Sequence, residues 1–439
     1  MRVLIVSPRF APANAADSHR VRLLLPYFSS LGCEVEVLAV DARDTNCPID
    51  PWLNIQPSAN IRVHLVRAWP LGGWGLNGLA QRSFVRLYRR GAQLLRQQKF
   101  DLVFFSTTEF LLHLLGPLWK QRFGVPFCMD YQDPWVNDYY QRNPAVVPPG
   151  GRLKYGLISR LHSVAEKQVA SRCSGFLAVS SPYLTELDRR YGLSVVAQPR
   201  LIQPFPAEPK ELETLPREGT DRRINKPNSK VIRYIGRGGA DMASAAIQFF
   251  EAWRELIEAG EINRDALRFE AIGTSYAVNG TGQQTLAPLA SDAGLAELVS
   301  EVPDRLGYRE MLLSLVQSDA LVVFGSNDPA YTASKIYPYL LAKRPLLAIF
   351  HQQSSVVALM AEVGGGHCVT FNAGPPSERS KQGIKDFLLG VAGNLVAVPL
   401  SMENFDKYSA RSQAKDVAQW LSLAAAFKSP AKINPLVQG

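Results

Sequence analysis

The chain has 439 residues, 46% of them hydrophobic and 20% charged, which excludes a disordered polymer and leaves room for two or three domains with sizeable cores. No apolar run reaches the roughly 18–20 residues of a membrane-spanning helix, and the apolar start Val3-Leu4-Ile5-Val6 is cut off by Pro8, too short for a secretory signal, so a cytoplasmic location is expected. The net charge of +9 points to an anionic partner, while five cysteines without a C-x-x-C pair and six scattered histidines predict buried reduced thiols and argue against a zinc site.

Strand and helix signals alternate from the start. The spacing predicts strands over 3–7, 34–40, 61–66, 101–105, 127–131 and 175–179, and helices over 19–31, 79–98, 109–123, 153–170 and 182–191. Short apolar strands separated by helices predict a parallel sheet covered on both faces. Five prolines between 203 and 230 read as a linker. The rhythm then restarts, with strands over 230–235, 267–272, 320–324 and 345–350, helices over 243–259, 309–318 and 334–341, and a last helix over 409–425. The expected division is 1–205, a linker over 206–229, a second α/β domain over 230–402, and a C-terminal helix and tail over 403–439.

The segment 81–99 carries Arg82, Arg86, Arg89, Arg90, Arg96 and Lys99 with no acidic residue, just after Trp69, Leu71, Trp74 and Leu76. Basic charge beside apolar side chains suits an anionic membrane surface; the alternative is a helix packed through its apolar side with a solvated basic face. No basic-aromatic RNA motif or zinc finger is present, so nucleic acid is not an expected partner.

In open α/β sheets ligands bind at the carboxyl ends of strands. Gly236-Arg237-Gly238-Gly239 follows one such end: glycines let the backbone approach a phosphate, and Arg237 offers it a fork of donors. A flexible turn with a surface arginine is the plainer reading. Thr332-Ala333-Ser334-Lys335 is expected to open a helix whose free N–H groups favour an anion, with ordinary capping as the alternative. Asn327 lies in the polar loop ahead of it, and Gly273 ends another strand. In the first half, Asp130-Tyr131-Gln132-Asp133-Pro134-Trp135 offers Asp133 as a general base or sugar-orienting group and Trp135 as a stacking platform, with a turn in which the aspartate caps the next segment as the alternative. Asp17, His19 and Arg20 are expected to face the same site, His19 being otherwise an ordinary surface histidine. No Walker P-loop, G-x-S-x-G, H-E-x-x-H or D-x-D occurs.

Taken together these landmarks resemble the retaining glycosyltransferases of family 4, of the bacterial surface-polysaccharide type, over nearly the whole chain. The matching pieces are Leu4-Ile5-Val6-Ser7-Pro8, Arg20 through Gly32, Asp130 to Trp135, Gly175-Phe176-Leu177-Ala178-Val179-Ser180, Tyr234-Ile235-Gly236-Arg237, and Ser334-Lys335-Ile336-Tyr337-Pro338 with Lys343-Arg344-Pro345. The resemblance implies the α/β GT-B fold: two facing Rossmann-like domains, an acceptor domain first and a nucleotide-sugar donor domain second, with the C-terminal helix crossing back to the first. It implies that Arg237 and Lys335 lie at the donor diphosphate; with the local readings above, the expected donor-binding residues are Gly236, Arg237, Gly238, Gly273, Asn327, Thr332, Ser334 and Lys335. It also implies Asp133 in the cleft and no need of a metal. On the same local readings, Asp133 and His19 are the expected catalytic residues, Asp17, Arg20 and Trp135 the expected acceptor contacts, and no cofactor is expected. A glycan or lipid-linked acceptor at the inner membrane face follows from the same family. This chain departs from the family where paired glutamates give way to Ala330 and Pro338, and where a lysine after the Gly-Arg turn gives way to Asp241. A GT-B scaffold that has lost catalysis and serves as a binding partner is therefore the alternative function.

Overall fold

A computed structural model of the chain describes residues 1–54, 61–70, 78–136, 151–192, 198–217, 229–275, 277, 280–328, 331, 333–372 and 377–428. The chain divides into two compact units, Met1–Pro206 with Ala410–Gly439, and Ala207–Ser409.

In the first unit β1 (Arg2–Val6), β2 (Glu34–Val40), β3 (Arg62–Val66), β4 (Leu102–Ser106), β5 (Phe127–Tyr131), β6 (Phe176–Ala178) and β7 (Arg200–Ile202) form one sheet in the order β3-β2-β1-β4-β5-β6-β7, every pairing parallel. The central strand β1 is apolar from Val3 to Val6 because it is covered on both faces, and all four side chains are fully buried. The chain returns to this unit with helix Ala410–Ala426, which packs on helix Ala16–Phe28 and on β4, β5 and β7. Trp420 meets Phe104 edge-on at 5.7 Å and donates its indole N–H to the Pro199 carbonyl at 3.1 Å.

The second unit repeats the plan. Its strands β8 (Lys230–Ile235), β9 (Leu267–Ile272), β10 (Val299–Val302), β11 (Ala320–Phe324), β12 (Leu346–His351) and β13 (His367–Phe371) pair in parallel in the order β10-β9-β8-β11-β12-β13. In both sheets the winding reverses beside the first strand, between β1 and β4 and between β8 and β11, which is where a doubly wound sheet opens a crevice for ligand. The α/β fold class with two Rossmann-like parallel sheets is thus the observed one.

The differences from expectation have local causes. β10 and β13 are edge strands, half exposed, and so lack the continuous apolar run that marks a buried strand. The proline-rich stretch read as linker follows directly on β7, an edge strand paired to β6 that the sequence reading did not place, and contains a short helix Pro209–Glu213 capped by Glu208; its described residues from Ala207 group with the second unit. Helix Ala16–Phe28 starts before His19, the expected start, since Ser18 bonds back to the Ala15 carbonyl. Cys33, Cys128 and Cys173 are buried thiols as expected, whereas Cys368 is exposed on the edge strand β13.

Among the described residues no helix is long and apolar enough to cross a membrane, and no group of His, Cys, Asp and Glu is arranged to hold a metal ion.

Candidate functional site

At the reversal in the second sheet, β8 runs into Gly236-Arg237-Gly238-Gly239 and β11 into Gly325-Ser326-Asn327-Asp328. The first loop is held by backbone bonds, Gly236 N–H to Ile272 O at 2.9 Å and Gly238 N–H to Thr274 O at 2.8 Å. The second is tied to the first by Asn327 N–H, which donates to the Asp241 carbonyl at 2.8 Å. Gly236 has φ +144, and a Cβ there would come within 3.0 Å of Lys335 Cδ and 3.2 Å of its Nζ. The glycine is required both for its backbone angle and for the room it leaves the lysine. Gly238 is equally confined, since a Cβ would meet Thr285 Oγ1 at 2.2 Å.

Lys335 reaches this loop because the helix that follows it, Ile336–Leu341, is pinned to the end of β8. Tyr339 Oη donates to Ile235 O at 2.9 Å and accepts from Ile235 N–H at 2.5 Å. Lys335 Nζ lies 4.3 Å from the centre of the Tyr234 ring and donates to Tyr234 Oη at 2.5 Å; that hydroxyl donates onward to Arg237 O at 2.5 Å. Burial, and then the Arg237 cation, push the ammonium down to about 7, with Asp241 opposing them. The Arg237 guanidinium pairs end-on with Asp241 at 2.8 and 2.7 Å and lies over Tyr331. Arg237 foremost holds the Asp241 carboxyl below its ordinary value. Two cations thus converge on one strand edge, with the Asp241 carboxylate offsetting part of their charge.

One expectation needs correcting here. The helix opens at Ile336 and spans only Ile336–Leu341, so Ser334 and Lys335 lie in the tight turn before it. Ile336 and Tyr337 donate to the carbonyls of Ala333 and Ser334, a three-residue spacing that leads into the helix. Pro338 fits because it is third in the first turn, where a backbone N–H has no intrahelical acceptor to lose. Lys335 therefore serves through its side chain. Thr332 and Ala330 lie outside the described residues. Gly273, φ +70, closes β9 with its N–H on Val302 O at 2.8 Å.

The corresponding reversal in the first sheet is built from carboxylates. Asp17, in the first turn of helix Ala16–Phe28, is buried, and its Oδ2 accepts from Thr107 Oγ1, Thr108 N–H, Thr108 Oγ1 and Arg9, each at 3.3 Å. Arg9, from the loop after β1, also pairs with Glu109 from the loop after β4. Asp133 keeps solvent contact, yet the protein crowding its carboxyl, and then the Asp17 charge, push it up to about 6. A carboxyl poised there can take a proton near neutrality. His19 is half-buried, with Asn14 Oδ1 at 3.4 Å from Nε2 and Arg22 Nε at 3.3 Å from Nδ1.

Three residues expected at this site are turned inward. Arg20 is fully buried: its Nε is 2.9 Å from Asp130 Oδ2, its other nitrogens donate to Gln203 O at 2.9 Å and Pro204 O at 3.3 Å, and Phe205 lies under it. It ties the helix to the end of β5 and to the chain leaving β7, so it cannot touch an acceptor. Trp135 is 5% exposed, stacked on Phe110 at 5.9 Å and packed beside His113 and His162, which leaves no ring face for a sugar. The Asp17 carboxylate is used up inside the fold and positions its neighbours. Sequence reasoning missed Arg9 and Glu109. A lone arginine two residues after a strand and a glutamate after a polar strand end carry no pattern until the β1–β4 pairing joins them.

Among known proteins, residues 18–202 match the model described as "Glycosyl transferase 4-like domain". No curated protein matches the chain. The fold is similar to that of the Anabaena protein HepE in complex with UDP-glucose, with 12% identity, a TM-score of 0.59, and 96% of this chain and 99% of that chain covered. It is similar to the E. coli trehalose-6-phosphate protein bound with UDP-2-fluoro glucose (13%, 0.58, 98% and 100%) and to WaaG, a glycosyltransferase involved in lipopolysaccharide biosynthesis (13%, 0.50, 96% and 98%). At such identities the likeness is one of fold, the GT-B architecture.

Proposed function

We propose that the protein is a glycosyltransferase that moves a sugar, a hexose or a close relative, from a nucleotide-sugar donor to a glycan or lipid-linked acceptor in cell-surface polysaccharide biosynthesis, with retention of configuration. The observation that carries this reading is the meeting of Arg237 and Lys335 at the β8–β11 reversal, on a glycine loop with no room for side chains. A glycosyl transfer needs positive groups where the leaving diphosphate gathers charge, and these two supply them without a metal. At the β1–β4 reversal Asp133 accepts the proton of the attacking hydroxyl or orients it, with His19 alongside. The domain match over 18–202 supports the same activity. HepE and the E. coli protein hold UDP-sugars, which makes UDP-linked donors the first to test. The enzyme works in the cytoplasm, peripheral to the inner membrane face.

Pro338 favours a second reading, a GT-B scaffold without catalysis, because proline cannot supply the acidic side chain that the resemblance expects at the donor ribose. Calorimetric titration with nucleotides and nucleotide sugars separates the two. Transfer predicts binding that Arg237→Ala and Lys335→Ala each weaken, with nucleotide released when acceptor is present. A protein that binds no nucleotide is the scaffold.

A further inference from the structure

Helix Arg152–Ala170 exposes apolar side chains to solvent. Leu157, Leu161 and Val164 are 62%, 61% and 58% exposed, and Ile158 beside them is 42% exposed. The spacing i, i+4, i+7 sets the first three in one stripe along successive turns, where a water-facing helix is ordinarily polar. At roughly 100° per residue, Arg160 and Lys167 fall on one flank of the stripe and Lys154 on the other; these three and Arg152 are exposed. The helix has a single acidic residue, Glu166, and it is buried on the opposite side. There it accepts from Tyr131 at 3.2 Å and Tyr191 at 2.7 Å and pairs with Arg190 at 3.3 Å. His162 meets Trp135 on that inner side.

We propose that this face of Arg152–Ala170 docks the protein on an anionic lipid surface, the apolar stripe entering the headgroup boundary while Lys154, Arg160 and Lys167 meet lipid phosphates and carboxylates. Every exposed charge on the helix is positive, which complements an anionic bilayer and disfavours the same face of a second copy. The segment that the sequence singled out is built differently. In helix Leu79–Gln97 the apolar residues Leu87, Leu94 and Leu95 are buried, and Arg82 is buried too, donating to Trp69 O at 3.0 Å and Asp44 O at 2.6 Å. Trp69 stays 44% exposed with Arg86 over its ring, while Leu71, Trp74 and Leu76 lie outside the described residues. The inference rests on the membrane part of the proposed function and is independent of donor chemistry.

The test is co-sedimentation of the full chain with phosphatidylcholine vesicles, with and without phosphatidylserine. The wild-type protein is expected to sediment only with the anionic vesicles, and less as salt rises. Arg160→Ser/Lys167→Ser is expected to weaken this roughly 30-fold, at roughly fivefold per charge. Leu157→Ser/Leu161→Ser/Val164→Ser is expected to abolish it with helical content and melting temperature unchanged, since all three side chains are exposed. If that triple variant still binds while Arg86→Ser/Arg89→Ser does not, docking belongs to Leu79–Gln97; the proposal then fails and the membrane reading survives. If the wild-type protein ignores phosphatidylserine, both fall, with donor binding by calorimetry unaffected. A wild-type dimer in light scattering that the triple variant splits would give the face to a second copy and overturn the proposal.

Discussion

The two reversal points, β1–β4 and β8–β11, share a topology and differ in how they use charge. In the first sheet the cations are spent inside the fold: Arg20 on Asp130, and Arg9 on Asp17 and Glu109. What is left facing solvent is Asp133, a carboxyl pushed up to about 6. In the second sheet Lys335 has no carboxylate ion pair among the described residues and leans on a tyrosine, while Arg237 pairs with Asp241. One edge presents a carboxyl held near its protonation midpoint, the other a pair of cations. A doubly wound sheet supplies the place; which charges are neutralised internally decides the chemistry.

The sharpest way to break this comparison is to disturb the spent cation. Arg20→Ala leaves Asp130 buried without its partner, whose carboxyl burial already raises above the ordinary value. We expect a stability loss of about 3–5 kcal/mol in urea melts. If the variant melts like the wild type, Arg20 is not the structural tie described. Next in size, Arg237→Ala should weaken UDP binding by about 2 kcal/mol, or roughly 30-fold, the worth of a charge-assisted hydrogen bond, without lowering the melting temperature.

The pH profile is a finer probe. Lys335, depressed to about 7, carries its charge below that pH and loses it above, so affinity for UDP should fall as pH rises through about 7. Asp133, raised to about 6, must lose its proton to act as a base, so transfer should rise through about 6. The product is a narrow bell for kcat/KM between the two. Asp133→Asn should abolish turnover while sparing UDP affinity, and Lys335→Gln should remove the alkaline fall in binding. A profile flat from pH 5 to 9 in both measurements would refute these assignments. The smallest effect is expected from Asp241→Asn, which frees the end-on face of Arg237 and should tighten UDP binding a few-fold. Weaker binding would mean that Asp241 positions the guanidinium and does not compete for it.

Much of this was legible in the chain. Largely apolar runs between helical segments marked the central strands, because a strand buried on both faces is mostly apolar; where β8 and β9 carry buried charges, Arg233 and Glu270 pair with each other. Glycines at 236 and 238 with the cation Arg237 between them marked the confined loop after β8, because only glycine tolerates such close neighbours. The half-exposed strands β10 and β13 left no such trace. Nor could residue type tell a solvent-facing charge from a buried one. Arg20 and Trp135 looked like surface chemistry and are interior ties, while Arg9 and Glu109, unremarked in the sequence, meet at the edge. The same holds for the two basic helices, Leu79–Gln97 with its leucines inward and Arg152–Ala170 with a leucine stripe outward. Local sequence determines where the strands and tight turns lie, because their periodicity and steric demands are short-range. Which charges face each other is set by strand order, which brings together residues about a hundred positions apart, such as Arg9 with Glu109 and Tyr234 with Lys335, and so only the tertiary structure decides it.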